Sequence, residues 1–206
     1  IGLKKANHGK IFIDEQETII QSPVKAFEKG FGYVSEDRIG EGLVLGLQCL
    51  FNMTLSSMDK VSKAFLISSQ KEKQFGRKYI ERLSIKEEFL MMEAQQLSGG
   101  NQQKVVIIRQ ILNDARIIIF DEPTKGIDVA AKSEISKLIS ELSREKKAIC
   151  LLSSEPREVL GISDRILVLT AHGLQGPFAR GTLDYSQLMA IELEESEDLN
   201  GNKKFN

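Results

Sequence analysis

The sequence predicts an α/β fold with a mostly parallel sheet, an antiparallel β edge and a helical subdomain. Strands alternate with helices through the second half of the chain, the pattern of a sheet crossed by helical connections. The two central strands, RIIIF at Arg116–Phe120 and AICLL at Ala148–Leu152, are apolar without alternation, as expected when both sheet faces are covered. After Gly9, KIFIDEQETII alternates apolar and polar residues, which marks a half-buried strand or hairpin and supplies the antiparallel edge.

In chain order, Ser22-Pro23 opens a short helix through Ala26 and Phe27, with Ser22 as cap and Pro23 in the first helical position, and Gly30 ends it. Phe31–Val34 leads into SEDRIGEG, an unusually charged loop, and then into an apolar stretch from Leu43 to Leu55. From about Asp59 to Met92 apolar and charged residues recur at helical spacing, with Phe75, Tyr79, Ile80 and Leu83 on one face. A helical subdomain is therefore expected at about 57–104. A helix follows over Asn101–Leu112, a strand over 116–120, a helix over Val129–Arg144, a strand over 148–152, a short helix near Arg157–Leu160 and a strand over Arg165–Leu169. Residues 1–193 are expected to form one domain, and 194–206, EESEDLNGNKKFN, a flexible tail with too little apolar content to pack.

A chain of 206 residues, 41% apolar and 28% charged, can bury one substantial core. Its 28 Lys and Arg balance 29 Asp and Glu, so no basic excess exists to hold nucleic acid or anionic lipid, and no nucleic-acid partner is expected. Cys49 and Cys150 lie in apolar stretches away from any Cys or His cluster, and are expected to be buried thiols. The longest apolar runs, Ile117–Phe120 and Ile166–Leu169, are far shorter than the roughly 20 residues that cross a bilayer. IGLKKANHGK at the start has neither an apolar signal region nor a cleavage site, which suits a cytoplasmic protein whose membrane association comes through a partner. His8 and His172 stand alone near expected turns and are given no role.

Two segments carry chemistry. IIIFDEP delivers Asp121 and Glu122 to the carboxyl end of a strand, where ligands of open α/β sheets bind. Paired carboxylates there suit phosphoryl transfer: one holds Mg²⁺, directly or through water, while its neighbour orients or deprotonates an attacking water. The same pair also occurs where a strand simply exits into a polar turn. LSGGNQQK, Leu97–Lys104, sets Ser98, Gly99 and Gly100 immediately before a helix carrying Val105, Ile108, Ile111 and Leu112. Unobstructed N–H groups and a hydroxyl at a helix N-terminus form an anion site that can receive a terminal phosphate. Alternatively the segment is a glycine turn in which Ser98 caps the helix.

Together, LSGGNQQK and IIIFDEPTKGIDVAAK resemble the signature, Walker B strand and D-loop of ATP-binding cassette ATPases, in family-like spacing. The resemblance implies a P-loop NTPase-like fold, ATP and Mg²⁺ as cofactors, Mg²⁺ assisted by Asp121, and Glu122 in the place of the catalytic base. It also implies that Leu97, Ser98, Gly99, Gly100, Asn101 and Gln102 contact ATP held by the opposite domain of a head-to-tail pair, with Gly126-Ile127-Asp128 along the seam. The likeness runs from the HGKIFIDEQE hairpin to GPFARG at 176–181. GYVSEDRIGEGLVLGLQCLFNMTL, Gly32 to Leu55, and LSSEPREVLGISDRILVL, Leu152 to Leu169, are similar, more narrowly, to the second of two fused ATPase domains in bacterial monosaccharide importers of the ribose and galactose type. Implied partners are a first nucleotide-binding domain or partner ATPase, membrane permease subunits and, indirectly, a sugar-binding protein, at the cytoplasmic face of the membrane. Asp37, Arg38, Leu43, Leu45 and Leu47 are the implied permease contacts.

The pattern departs from the family in three places. The phosphate-binding loop, GxxxxGK followed by Ser or Thr, does not occur: the only Gly-Lys pair, Gly9-Lys10, precedes Ile11, which has no hydroxyl for Mg²⁺. The family places that loop upstream of the hairpin, so the sequence is expected to be a piece of a longer protein that starts just after it. The Q-loop glutamine corresponds to Glu36 and the switch histidine to Ser154. A carboxylate repels a terminal phosphate unless Mg²⁺ or a proton intervenes, and serine cannot reach as imidazole does, so both changes weaken hydrolysis at this domain's own site. The chain alone is expected to be inactive, and to act by completing a neighbour's ATP site. Two other readings are a cassette ATPase serving outside transport, disfavoured by the absence of a basic block, and a catalytically silent regulatory module.

Overall fold

The structure, a computed structural model, describes residues 1–63, 66–82 and 85–192. Leu83 and the expected tail at 194–206 lie outside them. The alternation after Gly9 folds as a hairpin in which β1 (Ile11–Ile13) pairs antiparallel with β2 (Gln16–Thr18). In α1 (Pro23–Glu28) the Ser22 hydroxyl accepts the Lys25 N–H, and Pro23 occupies the first turn, where its missing N–H costs nothing. Gly30, at φ +84°, turns the chain into β3 (Phe31–Val34).

The charged loop after β3 is a π-helical turn at Arg38–Gly42, opened by Asp37, whose Oδ1 accepts the Gly40 N–H at 2.8 Å. The apolar stretch beyond it contains α2 (Cys49–Thr54). The segment expected to be helical throughout is broken: α3 (Met58–Val61) is followed by a short antiparallel pair, β4 (Ser62–Lys63) with β5 (Leu66–Ile67), before α4 (Ser69–Arg82). Ile80 is buried, while Phe75 and Tyr79 are half-buried. Two single-turn helices, Glu87–Met91 and Ala94–Gln96, lead to α5 (Gly99–Leu112).

A buried polar network holds this region. Asn52 is fully buried; its Oδ1 accepts the Val44 N–H at 2.8 Å, and its Nδ2 donates to the carbonyls of Val44 at 2.9 Å and Leu47 at 3.1 Å. From α5, Arg109 donates Nε to the Asn52 carbonyl at 2.7 Å and Nη2 to Asn52 Oδ1 at 3.2 Å. The loop at 43–48 is thereby fixed to α2 and α5 through the buried side chain of Asn52. Burial lowers the Arg109 pKa to about 10.

The central sheet is β3, β6 (Ile117–Asp121) and β7 (Ala148–Leu152), parallel throughout and in that order, with α6 (Val129–Arg144) between β6 and β7. Register pairs Tyr33 with Ile119 and Val34 with Phe120, then Ile119 with Cys150 and Asp121 with Leu152. Coverage of both faces does not hold within this chain. Val34, Ile118 and Phe120 are buried, but Ala148, Cys150 and Leu152 are exposed. Both crossovers advance in the same direction across the sheet, and right-handed connections then put α5 and α6 on one face. Cys150 consequently corrects the expectation of two buried thiols: it is exposed, and only Cys49 is buried.

Contacts divide the chain into two compact units, Ile1–Leu152 and Ser153–Asn206. The second contains α7 (Pro156–Ile162) and the antiparallel pair β8 (Arg165–Thr170) and β9 (Gly173–Ala179). Alternate residues of β8 are buried, and Ile166 and Val168 pack with Leu188, Leu160 and Phe178 in a small core of its own.

Candidate functional site

Parallel pairing ends β3, β6 and β7 side by side, so Ser35-Glu36, Asp121-Glu122 and Leu152 share one carboxyl edge. Glu122 turns the chain out of that edge at φ +45°, a left-handed conformation that costs a β-carbon residue about 1 kcal/mol or more. Its N–H donates to the Leu152 carbonyl at 2.9 Å, and its carbonyl accepts the Lys125 N–H at 3.1 Å, which closes the turn.

Tyr33 was not singled out by its sequence context. It is in register with Ile119, two residues before Asp121, so both side chains stand on the same sheet face. Its hydroxyl donates to Asp121 Oδ2 at 2.7 Å. Burial, and then that bond to a carboxylate, raises the Tyr33 pKa above 10.0. A period-two reading of FGYV against IIIFD carries this signal, provided that the two strands are known to be neighbours.

Glu36 is exposed and pairs with Lys125 Nζ at 2.5 Å. Lys125, itself exposed, is thus the partner of Glu36. The pair raises the Lys125 pKa, first through its hydrogen bond to Glu36. The two segments that leave β3 and β6 are therefore cross-linked, and the Glu36 carboxylate has a cation beside it.

At the start of α5, Ser98 is exposed and occupies the cap position, yet its side chain makes no capping bond; its Oγ accepts from Asn101 Nδ2 at 3.1 Å. Gly100 is also needed for packing, and Gly99 leaves room for a guanidinium. A Cβ on Gly100 would lie 2.5 Å from Ala131 Cβ on α6, and a Cβ on Gly99 would lie 2.8 Å from Arg38 Nη2. Leu97 and Gln102 are buried, unlike Ser98. Gln102 donates Nε2 to the Ala94 carbonyl at 3.0 Å and accepts Arg38 Nε at 3.3 Å. Asp128, exposed at the head of α6, accepts the Ala131 N–H at 2.9 Å.

The structure thus gathers Glu36, Asp121 and Glu122 on one edge, and Arg38 joins the segment that carries Glu36 to Gln102 and to the Lys125 carbonyl, the latter at 3.1 Å. Ser154 is exposed and belongs to the second unit. Of the implied permease contacts, Leu43 is buried and Arg38 is held inward, whereas Leu47 is exposed. Among the described residues no group of three or more His, Cys, Asp or Glu could hold a metal. The Asp121-Glu122 pair fits a Mg²⁺ carried in by nucleotide phosphates, which needs one or two carboxylates, better than a resident ion. No helix among the described residues is long and apolar enough to cross a membrane.

This is the architecture of an ATP-binding cassette. A nucleotide-free cassette from an ABC transporter matches it with TM-score 0.74 at 16% identity, over 96% of this chain and 78% of that one. A dimeric cassette in a post-hydrolysis state bound to ADP and Pi matches with TM-score 0.65 at 23% identity, over 80% and 70%. At these identities the likeness concerns the fold. Sequence supplies the family: residues 1–125 match the ABC transporter family, and the chain belongs to it. The xylose import ATP-binding protein of Geobacillus kaustophilus is 43% identical over 188 residues, which is 89% of this chain and 37% of that protein. The ribose import ATP-binding protein of Caldanaerobacter subterraneus is 45% identical over 180 residues, 87% of this chain and 36% of that protein. The chain spans little more than a third of the length of these relatives.

Proposed function

We propose that the chain is the second nucleotide-binding domain of an ATPase that powers sugar import, and that its main act is to present the signature to ATP held by a partner domain. The observation that carries this reading is Ser98, exposed at the head of α5 with no capping bond from its side chain. The Ser98 hydroxyl then stands exposed at the N-terminus of a fourteen-residue helix, where the helix dipole favours a terminal phosphate. Asp128 and Val129, exposed at the head of α6, extend the same partner-facing surface.

In the domain's own site Asp121 assists Mg²⁺ and Glu122 stands where the catalytic base belongs. Tyr33 keeps the Asp121 carboxylate oriented, and Lys125 offsets the charge that Glu36 brings toward a phosphate. Glu36, where the family has a glutamine, makes this the weaker of two sites. The assembly places the chain at the cytoplasmic face of the membrane through permease subunits, with a sugar-binding protein acting on the far side. The xylose and ribose import relatives support a pentose or similar sugar as cargo.

The test uses the full-length protein with its permease in vesicles. Ser98→Arg is expected to lower ATP-driven uptake by about a hundredfold or more, since it fills the anion site, while Glu122→Gln has a smaller effect at a site already weakened. Normal uptake with Ser98→Arg overturns the proposal.

A further inference from the structure

The segment after β3 is strapped twice to its surroundings within the first unit. One strap is the exposed Glu36–Lys125 pair. The other is Arg38, whose Nη1 donates to the Lys125 carbonyl at 3.1 Å and whose Nε donates to Gln102 Oε1 at 3.3 Å. Gln102 is buried, and its other end is fixed to the Ala94 carbonyl at 3.0 Å, so a displaced Arg38 moves α5 rather than one loose rotamer. Gly99 leaves the room that the guanidinium occupies, because a Cβ there would meet Nη2 at 2.8 Å.

We propose that Arg38 is a positioning residue that holds the start of the signature helix and the loop after Asp121-Glu122 in one fixed relation. The proposal rests on the reading that Ser98 serves a partner's ATP. A guanidinium suits the task because its planar fork sends donors in two set directions, and a lysine ammonium has no such fork. The Glu36–Lys125 strap links only the two post-strand segments; Arg38 alone reaches the signature helix as well. The link to Ser98 runs through Gln102, whose side chain accepts from Arg38 and whose backbone N–H donates to the Ser98 carbonyl at 2.9 Å. Arg38, a permease contact by family likeness, is half-buried and makes these bonds within its own unit.

The experiment measures ATP hydrolysis by the full-length protein with its permease for Arg38→Met and Arg38→Lys, with Ser98→Arg as control. A misplaced signature should lower kcat by about ten- to a hundredfold with little change in KM for ATP, because the nucleotide is held mainly by the partner. Arg38→Lys should rescue little. Amide exchange in Arg38→Lys should quicken together at 99–103 and 124–127 while β7 is unchanged. Wild-type kcat in Arg38→Lys, with Ser98→Arg inactive, overturns this inference alone; normal hydrolysis in Ser98→Arg overturns the proposed function instead. Arg38 variants that lose permease binding but keep full kcat and unchanged exchange also overturn it.

Discussion

Gly100→Ala tests the contact between the signature helix and α6 directly. Gly100 lies in the first turn of α5 and is not among the residues with positive φ, so alanine would ordinarily stabilise by about 0.4–1 kcal/mol through the unfolded chain. Here its Cβ would stand 2.5 Å from Ala131 Cβ, far inside the ~3.5–4.0 Å at which carbons touch. A methyl group on a helix has no rotamer to escape into. The helices must part, although Asp128 holds the Ala131 N–H at 2.9 Å and resists a shift of α6. Overpacking of this kind costs about 1–3 kcal/mol, and the central values of the two ranges, ~2 less ~0.7, leave a net loss of about 1.3 kcal/mol. Urea unfolding of the chain should show a midpoint lower by about 0.5–1 M at an ordinary slope. Ala131→Gly alone costs up to about 1 kcal/mol as a glycine in a helix, but in the double variant it should recover most of the loss. A Gly100→Ala protein as stable as the parent, or a strictly additive double variant, refutes the interlock.

Three further outcomes are expected. Asn52→Ala strips Val44, Leu47 and Arg109 of buried partners and should cost about 3–5 kcal/mol in the same unfolding assay; a loss below about 1 kcal/mol contradicts the network. Tyr33 titrates above 10.0, so between its unfolded and folded pKa values the folded state keeps a proton that the unfolded state has lost. Its contribution is therefore complete below pH ~10 and fades as pH rises through the raised value. Tyrosinate absorbance should show one of the three tyrosines titrating late, and Tyr33→Phe should remove that phase. Partial burial raises the pKa of both thiols, so accessibility decides: exposed Cys150 should react with a disulfide reagent in the native chain, whereas buried Cys49 should react only on unfolding. Equal rates for both would rule out this placement.

Much of the fold is legible along the chain because its signals are local. Ser22-Pro23 caps α1, Gly30 closes it, and Asp128 opens α6 through bonds that reach only three residues. The break between α3 and α4 was not legible, since the apolar spacing from Asp59 to Met92 continues across the paired strands β4 and β5. Cys150 shows the converse: an unbroken apolar run told of a strand suited to two covered faces, but coverage depends on which side the crossovers pass.

The candidate site divides in the same way. Asp121-Glu122 after an apolar strand, and Ser98-Gly99-Gly100 before a helix, announce themselves because the chemistry of a strand end and a helix start lies in adjacent residues. Tyr33 on Asp121, Lys125 on Glu36 and Arg38 on Gln102 span 88, 89 and 64 positions. No local pattern relates such residues. Their meeting follows from the parallel register of β3 with β6 and from the close approach of α5 to α6 that Gly100 permits, which are properties of packed backbone rather than of any short stretch of chain.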